Sequence, residues 1–224
     1  MKEYYKAYDK RYRQVHKNNL SWASNNNTKI VYNCIKKYNI KKENSILEIG
    51  CGEGRDAKYL LHKNYNVLAT DVSKEAINYC KFNDKNYKNN YKVLDVLDCK
   101  RFNKKFDFIY SVACIHMLIK DDDRNNYYKF IYEHLNDNGI ALILSMGDGE
   151  NESVSDSNLA WENTIRIHEE TKKEMNIAST SCRIVNFNTF FEEIKKNGFI
   201  NLEYGITEII PDFPEIMYVV IKKA

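Results

Sequence analysis

A short apolar segment runs straight into three alternating glycines and then into a helical pattern, and few folds accommodate such a segment. It extends from Ile46 to Asp56 and reads ILEIGCGEGRD. Glycine allows the backbone to turn tightly and lets a ligand approach it closely. In open parallel sheets, nucleotide-like ligands bind where the first strand ends in such a turn and a helix follows. The segment therefore predicts a ligand site at Gly50, Gly52 and Gly54.

The spacing of the glycines discriminates between nucleotide ligands. Dinucleotide-binding folds use G-x-G-x-x-G, whose third glycine allows close packing of the helix against the sheet. Here the pattern is G-x-G-x-G, and Arg55 stands where that third glycine would be. The chain also lacks the phosphate-binding pattern G-x-x-x-x-G-K-S/T. The ligand need not carry a pyrophosphate, and a nicotinamide-dependent dehydrogenase is disfavoured.

The rest of the chain predicts an α/β fold. Short apolar runs predict strands at 45–49, 66–70, 91–94, 106–110 and 140–146. Helical patterns follow at 55–63, 74–82 and 122–135. This alternation predicts a doubly wound, mostly parallel sheet. Strand-like runs at 199–210 and 215–221 have only a short link, which predicts an antiparallel last strand and seven strands in all.

Two further segments are predicted to cover the sheet. Residues 1–40 are expected to form an N-terminal helical lid in front of a main domain at 41–224. Residues 147–187 are expected to form a substrate-covering insertion, with an acidic loop around Asp148 and a helix-like piece at 159–175. Such a loop could receive an amine substrate, although acidic loops are more often simply solvated.

Carboxylates stand at the ends of the next two predicted strands. Asp71 ends the second strand, about twenty residues after the glycine turn, where a carboxylate can accept hydrogen bonds from a ribose diol. Asp95 ends the third, and a carboxylate beside the Val96 backbone N–H can bind an adenine edge. Asp98 could do the same. A ribose without a pyrophosphate suggests an adenosyl compound.

Composition excludes little. Thirty-four Lys and Arg against 31 Asp and Glu give a net charge of +3, which neither implies nor excludes a nucleic acid partner. No apolar run approaches the ~18 residues that span a bilayer, and the N-terminus shows no signal region, so a soluble, cytoplasmic protein without a membrane partner is expected. The six cysteines are too far apart to form metal-binding pairs, and no metal site is predicted.

In this order, the motifs resemble those of the class I S-adenosylmethionine-dependent methyltransferases. ILEIGCGEG is similar to their first motif, ATDVS to the second, VLDVLD to the third and FDFIYSVACIHML to the fourth, over residues 44–146. The N-terminal YDKRYR followed by LSW resembles the lid of the thiopurine and tellurite-resistance methyltransferases, although the proline usual after that Trp is missing.

The resemblance implies S-adenosylmethionine as the cofactor. The glycine turn would bend around its methionyl part, Glu48 would lie near its amino group, and aromatic side chains of the lid would contact its sulfonium. The implied cofactor-binding residues are Tyr12, Trp22, Glu48, Gly50, Cys51, Gly52, Gly54, Arg55, Asp71, Val72, Asp95, Val96 and Ser111.

The resemblance also places His116 among residues that face the substrate. An ordinary histidine pKa suits a general base near neutral pH, although a structural or merely pocket-lining histidine is the more common case. The function predicted is methyl transfer to a small-molecule thiol, amine or hydroxyl. An RNA methyltransferase and a non-catalytic binding module are the alternatives; the segment at Ser111 lacks the Asn/Asp-Pro-Pro-Tyr/Phe motif of amino-group methylation in nucleic acids. The oligomeric state is not predicted.

Overall fold

Eleven strands and six α-helices are present in the part of the chain that the computed structural model describes, residues 3–22, 26–98, 102–168, 171–208 and 216–224. The strands are β1 (Ser45–Ile49), β2 (Asn66–Asp71), β3 (Tyr91–Val93), β4 (Phe106–Ser111), β5 (Leu135–Met146), β6 (Ser153–Val154), β7 (Asn163–Ile167), β8 (Glu174–Ala178), β9 (Arg183–Ile184), β10 (Phe199–Thr207) and β11 (Ile216–Lys223). The helices are α1 (Ala7–Lys17), α2 (Lys29–Lys37), α3 (Arg55–His62), α4 (Lys74–Asn83), α5 (Asp121–His134) and α6 (Phe187–Lys196). Short 3-10 turns lie at Tyr4–Lys6, Lys85–Asn90, Ile115–Met117 and Ser157–Trp161.

Seven strands form the central sheet in the order β10-β11-β5-β4-β1-β2-β3. The pairs between β3 and β5 are parallel, whereas β11 is antiparallel to both of its neighbours. The predicted mixed sheet with a reversed last strand is therefore confirmed. Because β2 and β4 lie on opposite sides of β1, the connections leave β1 in opposite directions. A crevice opens at such a point, at the carboxyl ends of the strands.

Helices cover both faces of the sheet. Apolar side chains of α2, α3 and α4 pack on one face, and those of α5 and α6 on the other. Along β1, Ile46 is buried on the first face and Leu47 on the second, the alternation expected of a strand buried on both sides. The predicted helical lid at 1–40 thus has two parts, because α2 belongs to the core while α1 lies over the crevice. The division at residue 40 stays a prediction.

Local sequence explains where several helices begin. The Ser73 hydroxyl accepts a hydrogen bond from the Ala76 backbone N–H and caps α4. The Asn186 side chain accepts from the Thr189 N–H in the same way and caps α6. Acidic residues 121–123 occupy the first turn of α5, where the helix dipole stabilises negative charge.

The insertion differs from its prediction. The expected helix-like piece at 159–175 is wrong, since this region contains a short 3-10 turn and the antiparallel hairpin of β7 and β8. Strand β7 is exposed on one face at Ile165 and Ile167 and on the other at Arg166, so burial gave its sequence no period to detect. The predicted link at 211–214 lies outside the described residues. No helix in the described ranges is long and apolar enough to cross a membrane.

Candidate functional site

The glycine turn adopts a conformation that only glycine tolerates well. Gly50, Gly52 and Gly54 have φ angles of 71°, 54° and 81°. A Cβ at Gly50 would lie 2.8 Å from the Cys114 sulfur, and one at Gly52 would lie 2.6 Å from the Tyr12 hydroxyl. The turn is therefore both strained for other residues and closely covered by side chains.

Asp71 holds the glycine turn from the end of β2. Its carboxylate accepts one hydrogen bond from the Gly52 N–H at 2.8 Å and another from the Ser73 N–H at 2.8 Å. Burial raises the pKa of Asp71 to about 6, against the lowering effect of these two bonds. Each oxygen keeps a second lone pair, so the carboxylate can still accept from a diol.

Glu48 lies at the end of β1 with its side chain buried. The Tyr110 hydroxyl donates to its carboxylate at 2.9 Å. Burial, reinforced by the nearby Asp56 carboxylate, raises the pKa of Glu48 to about 8. A buried carboxylate of this kind becomes a favourable partner for a cation that enters the site.

Asp95, just after β3, is held by the N-terminal segment. The Lys6 ammonium lies 2.8 Å from its carboxylate and the Tyr5 hydroxyl donates to the same oxygen at 3.1 Å. The Leu97 N–H donates to the other oxygen. Asp98, the alternative in the sequence, is exposed and does not line the site.

These groups surround one cavity of about 210 Å³ at the crevice of the sheet. Eleven of the thirteen predicted cofactor-binding residues line it: Tyr12, Trp22, Glu48, Gly50, Cys51, Gly52, Arg55, Asp71, Val72, Asp95 and Val96. Gly54 and Ser111 do not. Gly54 faces Cys80 and Tyr91 in the core, and the Ser111 hydroxyl accepts a hydrogen bond from the Tyr127 hydroxyl, which lies on the cavity wall in its place.

Arg55 supports the turn from the first position of α3. Its guanidinium donates to the Thr28 hydroxyl at 2.7 Å and lies 3.1 Å from the Asp56 carboxylate. The buried Nε has no hydrogen-bond partner among the described residues. Arg55 therefore ties the start of α2 to the start of α3.

Two aromatic side chains of the N-terminal segment, Tyr8 and Trp22, already contact a cation of the protein. The Arg11 guanidinium lies 5.0 Å from the Tyr8 ring and 5.1 Å from the Trp22 ring. Arg11 is buried and also donates to the Ala178 carbonyl of β8. Trp22 thus makes a cation–π contact with Arg11 in this structure, and its contact with a sulfonium stays a prediction.

Helix α1 is fastened to the strand-end loops by polar contacts that the sequence prediction missed. The Asp9 carboxylate accepts from the Ser73 hydroxyl and from the Glu75 N–H at the start of α4. The two ring nitrogens of His16 lie 2.8 Å from Glu53 and 3.0 Å from Glu75. Burial lowers the pKa of His16, but the hydrogen bonds to these two carboxylates outweigh it and the net shift is upward.

The signal for these contacts is in the sequence. Tyr5, Asp9, Tyr12 and His16 recur at the three- and four-residue spacing of one helix face. Their partners on other elements cannot be read from that spacing, because they come from residues far away in the chain.

His116 lies in the turn after β4 and lines the cavity. Burial, together with the Arg124 charge, lowers the pKa of His116 to about 3. The general-base prediction assumed an ordinary pKa for His116, and that assumption is wrong. The base role itself stays a prediction.

The insertion packs on the outer side of α1, the helix that lies over the cavity. Lys10 and Gln14 of α1 bond to Trp161 and Ala178 of the insertion, and Val15 packs against Met175 and Ile177 of β8. None of the residues at 147–187 lines the cavity in the described structure. The Asp148 carboxylate accepts bonds from the Glu150 and Asn151 N–H groups and so shapes its own loop. A substrate-covering role for the insertion would act through α1.

The residues present fit a ligand that carries an adenosine and an ammonium group. Three carboxylates, Glu48, Asp71 and Asp95, stand at the ends of three adjacent strands around the glycine turn. The turn offers backbone surface, and the carboxylates offer acceptors for a cation, a diol and an amine.

Comparison with known proteins agrees with this geometry. Residues 46–139 match the family model of a methyltransferase domain. The chain is 27% identical over 84 residues to an uncharacterized methyltransferase of Schizosaccharomyces pombe, which is 37% of this chain and 58% of that protein. It is also 27% identical over 103 residues to a probable S-adenosyl-L-methionine-dependent methyltransferase, TehB, of Haemophilus influenzae, covering 45% of this chain and 35% of that protein.

A solved structure extends the likeness to nearly the whole chain. The S-adenosylmethionine-dependent methyltransferase of Clostridium acetobutylicum superposes with a TM-score of 0.67 at 18% identity, covering 95% of this chain and 96% of that one. At this identity the likeness shows the fold. The family match over residues 46–139, the fold and the cavity at the glycine turn together make the chain similar to the S-adenosylmethionine-dependent methyltransferases.

Proposed function

We propose that the protein transfers a methyl group from S-adenosylmethionine to a small-molecule nucleophile. The observation that carries the proposal is the cavity at the glycine turn, in which Glu48, Asp71 and Asp95 meet His116 and the aromatic residues of α1. When bound, the cofactor supplies a methyl group already activated on a sulfonium sulfur. The protein then has to bind the cofactor and the nucleophile, align them with each other and exclude water.

Each carboxylate has one part in this proposal. Glu48 binds the ammonium group, Asp71 the ribose diol and Asp95 the adenine amine. Asp95 exchanges or shares its contacts with Lys6 and Tyr5 when it does so, because both already occupy one of its oxygens. Cofactor binding and closure of the N-terminal segment are therefore linked at Asp95.

The acceptor approaches from the wall that follows β4. This wall consists of residues 112–114, residues 116–118 and Tyr127, most of them apolar. An acceptor held against this wall would face the methyl group that the cofactor supplies when bound, and the proton that the acceptor loses would pass to solvent. Helix α1 lies over the cavity and would keep water from competing as the nucleophile. A cavity of about 210 Å³ favours a small molecule over a polymer.

Calorimetric titration with S-adenosylmethionine and S-adenosylhomocysteine tests the cofactor assignment. Both are expected to bind, and Asp71→Ala is expected to weaken both by at least about tenfold, since a charged hydrogen bond contributes roughly 1.5–3 kcal/mol. Asp98→Ala removes an exposed carboxylate outside the cavity and serves as the matched control. Circular dichroism must show that the Asp71 variant is folded.

A homocysteine-release assay with thiols, amines and phenols then tests turnover. Cofactor binding followed by methylation of at least one of these classes supports the proposal. Cofactor binding without turnover on any of them, but with salt-sensitive RNA binding, would indicate the RNA methyltransferase instead. No binding of either cofactor form by the folded protein would refute the proposal.

A further inference from the structure

His116 is a buried polar side chain without a partner. Its residue is 4% exposed, and the structure shows no hydrogen bond between its ring and any described residue; Nδ1 is buried and unbonded. More than nine in ten buried polar groups in proteins are bonded, and an exception needs an explanation. Because His116 lines the cavity, a molecule in the cavity can supply the missing partner.

Arg124 fixes both the position and the charge of this imidazole. It lies buried beneath the turn and donates to the carbonyl groups of Ile115 and Leu118, on the two sides of His116. Its charge is matched by Glu193 of α6, whose two carboxylate oxygens lie 2.7 Å from Nε and 2.7 Å from Nη2. Burial and this neighbouring cation keep His116 uncharged, with its pKa lowered to about 3. A neutral imidazole offers one donor and one acceptor.

The wall around His116 is apolar and rigidly shaped. Val112, Met117 and Leu118 line the cavity on either side of it. Ala113 has a φ of 51°, a left-handed conformation that a non-glycine residue seldom adopts, and its N–H donates to the Leu144 carbonyl. Such strain persists only where the surroundings enforce it, and it clusters at ligand sites.

We propose that His116 binds the methyl acceptor by a hydrogen bond, and that the acceptor is an uncharged molecule with an O–H or N–H group on an apolar body. The inference rests on the proposed function, since it presumes that the acceptor enters this cavity. A cationic acceptor would find no carboxylate on this wall, where Val112, Met117 and Leu118 flank the uncharged imidazole. An anionic acceptor would lose its hydration against apolar side chains.

The test uses NMR of the ring nitrogens in protein labelled with ¹⁵N-histidine and saturated with S-adenosylhomocysteine. The chain has five histidines, and His116→Asn identifies the signals of residue 116. Four probes share one ring: phenol and aniline are neutral at pH 7, whereas benzylamine is cationic and benzoate anionic. The neutral probes are expected to shift the His116 resonances, and the charged ones are expected to leave them unchanged.

Variants separate binding from structure. His116→Phe is expected to weaken binding of phenol by about tenfold, the effect of one lost buried hydrogen bond, with S-adenosylhomocysteine binding unchanged. His116→Asn, which keeps a donor and an acceptor, should restore part of the affinity. His62→Asn, at a half-exposed histidine outside the cavity, is the matched control.

Two results would overturn the inference. One is binding of all four probes with equal affinity, and the other is His116 resonances that no neutral probe moves. If S-adenosylhomocysteine still binds in that case, only the role of His116 fails. If S-adenosylhomocysteine does not bind, the proposed function fails with it.

Discussion

Glu48 illustrates how a single residue can link cofactor binding to pH. Its carboxylate is buried next to the Tyr110 hydroxyl and has no cation within ion-pair distance in the described structure. Around it lie Asp56 and Arg55 of α3 and Tyr110 of β4. With a pKa of about 8, Glu48 is mostly protonated at neutral pH, but it must be ionised to pair with an ammonium group.

We therefore predict that S-adenosylhomocysteine binding releases a proton near neutral pH. Affinity should rise by up to about tenfold per pH unit towards pH 8, because one pKa unit corresponds to a tenfold change. Above that pH the ligand's own amino group loses its charge and affinity should fall. Calorimetry in two buffers with different ionisation enthalpies measures the number of protons released.

Glu48→Gln provides the control, since its amide has nearly the same shape and cannot ionise. Its affinity should be independent of pH in the range where that of the wild type rises. Tyr110→Phe removes the hydroxyl that lowers the pKa of Glu48, so it should move the rise to higher pH. An unchanged pH dependence in Glu48→Gln would disprove the assignment.

The sequence predicted the site residues best where chemistry depends on the backbone. The three glycines and Asp71 follow from local spacing, and the structure brings Gly50, Gly52 and Asp71 together. Ser111 was predicted at the cofactor, but Tyr127 covers it, and that contact joins residues 16 apart in the chain. The pKa of His116 could not be predicted either, because it depends on burial and on Arg124 of another helix.

At the scale of elements, α1 matters most. It contacts the β2–α4 connection through Asp9, the glycine turn through His16 and β8 through Arg11. The sequence identified this helix as a cover. Its outer contact with a hairpin was not predicted, because that hairpin was taken for a helix.

The Asp9 contact at the start of α4 can be tested by substitution. Asp9→Ala is expected to lower the free energy of unfolding by about 1 kcal/mol, the usual cost of a lost helix cap. It should also weaken S-adenosylhomocysteine binding, because α1 closes the cavity. Asp9→Asn keeps the acceptor oxygen and should retain most of both. Denaturant titration and calorimetry measure the two effects, and equal losses in both variants would contradict this account.

His16 makes the closure of α1 depend on pH. Only the imidazolium can donate to both Glu53 and Glu75, and its pKa is raised in the folded protein. The stabilisation is complete below the ordinary histidine pKa of about 6.5 and is lost as pH rises through the raised value. Amide hydrogen exchange of residues 7–17, corrected for intrinsic rates, should therefore quicken as pH rises above about 6.5.

His16→Gln should remove this pH dependence, whereas His62→Asn should preserve it. His62 pairs with Asp84 and lies away from α1, so it controls for general histidine effects. Exchange in α1 that responds to pH equally in all three proteins would rule out the His16 contact as the cause.

At the scale of the whole molecule, Arg124 and Glu193 join three regions. The guanidinium makes two hydrogen bonds to the Glu193 carboxylate and bonds to both ends of the turn that carries His116. The pair thus connects α5, α6 and the acceptor wall. Breaking one partner of a buried pair leaves an uncompensated charge inside the protein.

Glu193→Ala is accordingly expected to lower the free energy of unfolding by about 3 kcal/mol or more. Glu133→Ala, which removes the exposed partner of Lys129 on α5, should have little effect. Chemical denaturation of both variants gives the comparison. A Glu193 variant as stable as the Glu133 variant would show that the buried pair contributes nothing net.

The fold as a whole followed from the sequence more fully than its additions did. Alternating strands and helices predicted the seven-stranded sheet because core burial imposes a period on the residues. In the β7–β8 hairpin, β7 is exposed and β8 is buried against α1 rather than against the sheet. The sequence of β7 therefore carried no signal of its place.

The position of α1 between the cavity and β8 has a consequence for timing. In the proposed reaction, the methylated product and the spent cofactor would lie behind a helix whose outer side is held by Arg11 and Val15 against the hairpin. We expect their departure to require movement of that helix, so that departure rather than chemistry sets the pace of turnover. The time that both molecules spend in the cavity would then depend on how strongly the β7–β8 hairpin, which contacts neither of them, binds α1.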